Sequence, residues 1–105
     1  MSQVKLPTKL RILGVDVQVR RQDLNTEKDA DMVVFGHYLA NKEIIAIDKS
    51  LGDKVAVPTL LHEVLEAINH RCELGLEHHQ IMTLESTLVQ VMADNKQLPK
   101  LFGVL

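Results

Sequence analysis

The residues able to do chemistry crowd into one short stretch. Four of the five histidines, His62, His70, His78 and His79, fall within eighteen consecutive residues. At its start, His62-Glu63-Val64-Leu65-Glu66 reads H-E-x-x-E. The logic is that of H-E-x-x-H. Residues at i and i+4 sit one turn apart on one helix face, so His62 and Glu66 can grip a single metal ion. Glu63 approaches the same space from the side, where a carboxylate can take a proton from metal-activated water. Zinc accepts both imidazole nitrogen and carboxylate oxygen. His70 lies about 12 Å from His62 along the helix, too far to share one ion whose bonds are near 2 Å.

A helix must present these groups, and the pattern around them is helical. With His62 at zero and about 100° per residue, Leu60, Leu61, Val64, Leu65, Ala67, Ile68 and Cys72 share an arc from about 140° to 300°. Glu63, Glu66, Asn69, His70 and Glu73 lie on the His62 side. One buried stripe is expected, with Cys72 inside it as a small core residue. The bland reading of the polar side is a solvated face with Glu66–His70 as an ordinary i,i+4 pair.

A third metal ligand must come from another element. The helix expected over about 77–94 has an apolar stripe of Ile81, Leu84, Leu88, Val91 and Met92, and both His78 and Glu85 fall on it. His79 points off the stripe. The short link Leu74-Gly75-Leu76 makes the two helices antiparallel neighbours. Geometry leaves His78 and Glu85 both open as partners of His62 and Glu66. A core His78 paired with Glu73 or Asn69 is the structural alternative, because buried polar groups need partners.

The first half reads as strands. Leu10 and Ile12 alternate with Lys9 and Arg11, and the phase changes after Gly14, where Val15, Val17 and Val19 begin. Two strands with a turn near Gly14 explain the switch. Residues 22–31 are polar and aperiodic and read as a loop with up to one helical turn. Met32–Leu39 and Glu43–Asp48 read as a second hairpin around Asn41-Lys42. Pro58 suits the first turn of the first helix, with Asp53 or Thr59 as caps, and Gly75 suits its end. The fold class is α+β: a small antiparallel or mixed sheet of about four strands (residues 9–48), then helices over about 58–74 and 77–94. Residues 1–105 form one domain with a loose N-terminus over 1–8. The apolar tail over 100–105 either docks on the domain or makes a subunit contact.

Thr59-Leu60-Leu61-His62-Glu63-Val64-Leu65-Glu66-Ala67-Ile68 resembles the active-site helix of short zincin-like metallopeptidases encoded by phages and prophages. The preceding Glu43–Asp48 strand and the following Glu73–Ile81 segment fit the same pattern, so the likeness spans about residues 9–99. The commoner family form is H-E-x-x-H with an acidic residue near the start of the next helix. In this chain Glu66 replaces the second histidine, and His78 stands near that acidic position. The resemblance implies a minimal zincin-like domain with zinc on His62, Glu66 and His78. It also implies Glu63 as general base and Glu85 in support, orienting His78 or a bound ligand. A peptide or protein substrate follows, adding as a strand along a sheet edge near the metal. His37 and Tyr38 are either oxyanion donors there or plain strand residues. The alternative is a catalytically inactive zincin-like metal-binding or interaction module.

Composition narrows the field. Hydrophobic residues make up 46% of the chain and charged residues 25%, an ordinary globular balance. With Phe35, Tyr38 and Phe102 as its aromatics, the core must be aliphatic. Net charge is −2 and the basic residues are scattered, so no nucleic-acid partner is expected. The apolar runs are too short to span a membrane. The start Met1-Ser2-Gln3-Val4-Lys5 has no signal-peptide character. The single Cys72 suits a reducing compartment, so a cytoplasmic location is expected, the host cytoplasm for a phage protein.

Overall fold

Alternation in the first half becomes a four-stranded mixed sheet in the computed structural model, which describes residues 4–26 and 32–105. The strands are β1 (Lys9–Ile12), β2 (Val15–Gln22), β3 (Gly36–Leu39) and β4 (Ile44–Asp48). Their order across the sheet is β1-β2-β4-β3. Both expected hairpins form and are antiparallel, and β2 joins β4 in parallel. The phase switch is a two-residue turn in which Leu13 and Gly14 both take positive φ, 50° and 80°. That is the turn whose twist matches a hairpin, and glycine reaches it without a Cβ penalty.

Two helices follow, α1 (Asp53–Cys72) and α2 (His78–Asp94), then a short α3 (Gln97–Leu101) and a 3₁₀ turn (Phe102–Val104). The α+β expectation is met. One face of the sheet packs Val17, Val19, Ile45 and Ile47 against Ala56, Ala67, Leu60, Val64 and Ile68 of α1. Beta-branched residues suit the pleated face, and α1 closes it.

Several boundaries differ, each for a local reason. α1 starts at Asp53, so Pro58 sits inside the helix rather than in its first turn. Asp53 does not cap that helix with its side chain; its carboxylate accepts the Val4 N–H at 2.9 Å. That bond, Leu6 against the core and Val19 N–H on the Thr8 carbonyl fix residues 4–8, which were expected to be loose. Residues 1–3 lie outside the described residues. So does 27–31 of the expected 22–31 loop.

β3 begins at Gly36 rather than Met32. Just before it, the Asn25 amide both donates to and accepts from the Val34 backbone, occupying groups a longer ladder would need. α1 ends two residues early, at Cys72, with Glu73 in the left-handed conformation at φ 51°.

The largest departure concerns burial. The buried line of α1 is Ala56, Thr59, Glu63 and Ala67, rolled toward the edge of the expected stripe. The helix serves two neighbours, with the sheet on one flank and α2 on the other, so one apolar arc is shared between them. Cys72, expected in the core, is exposed. It lies in the last turn, past the residues that pack on the sheet. On α2 only Ile81 is buried, and the tail over 101–105 is exposed rather than docked.

Candidate metal centre

α1, α2 and the edge strand β3 meet around the H-E-x-x-E turn. His62 and Glu66, one turn apart, bring Nε2 and Oε2 to 3.7 Å. His78, the first residue of α2, puts its ring edge-on to His62 with centroids 5.3 Å apart. Each of the three residues offers one donor atom, and all three atoms lie within 4.8 Å of one another. A tetrahedral ion with bonds of 2.0–2.2 Å asks for separations of about 3.4 Å, so modest side-chain rotation closes the set. His79 is not part of it and pairs with Glu77 at the surface.

The link between the helices sets His78 in place. The Asn69 side chain donates to the Leu76 carbonyl and accepts its N–H, at 3.1 and 2.9 Å. Gly75 takes φ 70° within that link. Next, the Glu77 N–H donates to the Gln80 side chain, half of a capping box that starts α2. Asn69 is therefore committed to the backbone and is not a partner of His78, which is exposed rather than core-facing.

Glu85 holds His62. Its Oε1 lies 3.0 Å from His62 Nδ1. Expected to orient His78 or a ligand, it instead fixes the ring that begins the motif. As the Nδ1–H tautomer, His62 donates to Glu85 and turns a bare Nε2 lone pair toward Glu66 and His78. Carboxylates behind histidine ligands act in this way.

Glu63 is the least expected feature. It is only 5% exposed yet lines the cleft. Burial pushes its carboxyl up from 4.5 to about 7; His62 opposes this, while Glu66 and Glu85 add to it. A carboxylate poised near neutrality can both accept and return a proton.

Its neighbour Gly36 was not singled out from the sequence. A Cβ at Gly36 would stand 2.9 Å from Thr59 Cγ2, 3.0 Å from the Ala46 carbonyl and 3.3 Å from Glu63 Oε2. Glycine lets β3 lie against α1 at this point, and a glycine inside a β-rich run was the available signal.

The cleft has a volume of about 510 Å³ and is bounded by the β3 backbone from Gly36 to Tyr38 and by His62, Glu63, Glu66 and His78. β3 is the edge of the sheet, so one side of its backbone is unpaired by strands among the described residues. His37 and Tyr38, weighed as oxyanion donors or plain strand residues, both border the cleft as part of β3. Tyr38 packs toward α1, and its hydroxyl donates to Glu43 at 2.7 Å. Glu43 is also paired with Arg71. Alternation then turns His37 to the opposite face of the sheet. His70 lies beside Tyr38, with ring centroids 6.1 Å apart, away from the His62 cluster.

No family model matches this chain, and neither a curated protein nor a solved structure matches it. Among the described residues, no helix is long and apolar enough to cross a membrane.

Proposed function

We propose that the protein is a metal-dependent hydrolase of the metallopeptidase type, with zinc or a similar divalent ion on His62, Glu66 and His78. The observation that carries this reading is the buried Glu63 set beside a His–Glu–His group, with one of its histidines already held by a carboxylate. A carboxyl held near neutrality by burial, in a cleft beside a group of ligand-type side chains, suits the proton transfers of hydrolysis. When bound, the ion supplies Lewis acidity, lowering the pKa of water and polarising a carbonyl. Glu63 then accepts the proton of the attacking water and delivers it to the leaving group. Glu85 keeps the His62 ring in one orientation. The free side of β3 is suited to a substrate chain in extended form, which favours a peptide.

Metal content decides the matter. Protein purified without an affinity tag should contain close to one divalent ion per chain. His62→Ala, Glu66→Ala and His78→Ala should each lose it. Glu63→Gln should keep the ion and lose hydrolysis of an unstructured protein substrate. Wild-type protein with no metal above background, even after incubation with zinc, removes the site. Metal without turnover on any peptide leaves the alternative, an inactive metal-binding or interaction module, a reading favoured by the exposed apolar face of α2.

A further inference from the structure

The cleft does not end at the metal centre. A second hollow of about 300 Å³ continues it, lined by Tyr38, Ala40, Glu43, His70 and Arg71. Tyr38, Ala40 and His70 border both hollows, so the two form one trough. β3 meets Glu63 at Gly36 and His70 at Tyr38, so strand and helix run the same way and wall the trough together. Along α1, Arg71 lies about 7.5 Å beyond Glu66, at about 1.5 Å per residue. An extended chain covers that distance in about two residues.

The polar groups at this end are unevenly used. Both oxygens of Glu43 are engaged: Oε1 accepts the Tyr38 hydroxyl at 2.7 Å, and Oε2 pairs with Arg71. Arg71 has more donors than partners. A guanidinium carries five N–H groups, and among the described residues Glu43 is the carboxylate it meets. Its Nε is shut off from solvent and makes no hydrogen bond among the described residues. The side chain as a whole is 22% exposed and lines the hollow. His70, edge-on to Tyr38, adds a ring N–H. Glu66, one turn before His70, is turned to His62 at 3.7 Å instead. A ligand for this end must therefore bring acceptors. A carboxylate does so, and its hydrogen bonds to a guanidinium are charge-assisted. A cationic side chain would meet Arg71 with both Glu43 oxygens already in use.

We propose that this end of the trough is a carboxylate subsite, where Arg71 and His70 hold an acidic group of an extended peptide about two residues from the bond at the metal. The group is a Glu or Asp side chain or the peptide's own terminal carboxylate. Arg71 determines the preference, and Glu43, itself held by Tyr38, fixes the guanidinium. The subsite names a substrate class for the hydrolase reading and rests on the peptide groove of that reading.

Short acetylated peptides test it, with Glu or Gln placed at each position in turn and with free or amidated ends. They are offered to the full chain loaded with zinc. For a side-chain ligand, kcat/KM should favour Glu over Gln about 10-fold at one position, about two residues from the bond cut. For a terminal ligand, the free acid should be favoured over the amide by the same factor. Arg71→Gln should bring that ratio to about 1, and Arg71→Lys should restore part of it, with circular dichroism checking that both variants fold. A binding readout needs neither turnover nor a variant. In ¹⁵N NMR of the wild-type chain, with or without zinc, the Arg71 Nε–H signal should move with the carboxylate peptide and stay in place with its amide counterpart. A chain that shows this shift but cleaves nothing loses the hydrolase reading and keeps the subsite, as part of a peptide-binding module. Cleavage with no preference for a carboxylate at any position or end overturns the subsite and leaves the hydrolase reading standing. An Arg71 signal that no carboxylate peptide moves also overturns it, as does a preference undiminished in a folded Arg71→Gln.

Discussion

Removing the charge from Glu63 should stabilise the metal-free protein, and only above mildly acidic pH. The folded state holds this carboxyl at about 7, against 4.5 for an ordinary glutamate, chiefly through burial. The native protein therefore binds more protons than the unfolded chain across that window, and stability falls as pH rises through it. The contribution is fully present below about 4.5 and fully lost above about 7. At 1.36 kcal/mol per pKa unit, the loss is about 3 kcal/mol, an upper value because the group opens onto a cleft. Glu63→Gln keeps the shape and cannot ionise. With chelator present, thermal melts of wild type and Glu63→Gln should nearly coincide at pH 4.5 and separate steadily up to pH 7.5. There the variant should melt higher by up to about 12–24 °C, taking about 4–8 °C per kcal/mol for a domain of this size. All other titratable groups are common to both proteins and largely cancel in the difference. Parallel curves, or a wild type that gains on the variant as pH rises, would refute the idea that Glu63 is held near neutrality by burial. A stabilised variant without activity would also show that the carboxylate is retained at a cost to the fold.

Gly36→Ala should destabilise by about 1–3 kcal/mol in urea titrations, because the added methyl meets Thr59 and the Ala46 carbonyl at 2.9 and 3.0 Å. The same change should lower zinc affinity or turnover by displacing Glu63 and α1 relative to β3. Glu85→Gln should retain stoichiometric metal but bind it about 10–100-fold more weakly by competition with a chelator, since it loses the charge behind His62 Nδ1. Asp48 is held down to about 2 by the Ser50 hydroxyl, then by the Leu24 and Ser50 N–H groups, against the effect of burial. Its stabilising effect is present above about 4 and lost as pH falls toward 2, so Asp48→Asn should flatten acid unfolding monitored by circular dichroism in that range.

Much of this arrangement is legible along the chain, and the unread parts share a cause. Strand alternation and its slip at Gly14 locate a hairpin, because the two-residue period is local. His62 and Glu66 are legible as a pair for the same reason: four residues make one turn. Glu63 lay at the border of two faces in the sequence. Which way α1 rolls depends on how the sheet and α2 divide its apolar arc, so the depth of Glu63 needed the fold. The choice of His78 over Glu85 as the third donor rests on resemblance, because helix geometry along the chain leaves both open. In the fold His78 joins His62 and Glu66, while Glu85 stands behind His62. Both face His62, one across from Nε2 and the other on Nδ1. Glu43 and Arg71 stand 28 positions apart with no pattern connecting them, so their pairing, which takes the Tyr38 hydroxyl with it, was invisible.

The three elements that build the site are not equally anchored, and this explains how so small an aliphatic core can support it. α1 and β3 belong to the core, and Gly36 sets them in contact beside Glu63. α2 lies outside, buried only at Ile81. It is tied to α1 by polar contacts at two levels: Asn69 on the Leu76 backbone at the link, and Glu85 on His62 two turns into α2. His78 lies between these ties. Its position is therefore set by the link and the first turns of α2, and the outer end of that helix adds little. The carboxylate that selects the His62 tautomer is also the one that pins α2, so metal affinity and the docking of α2 should rise and fall together.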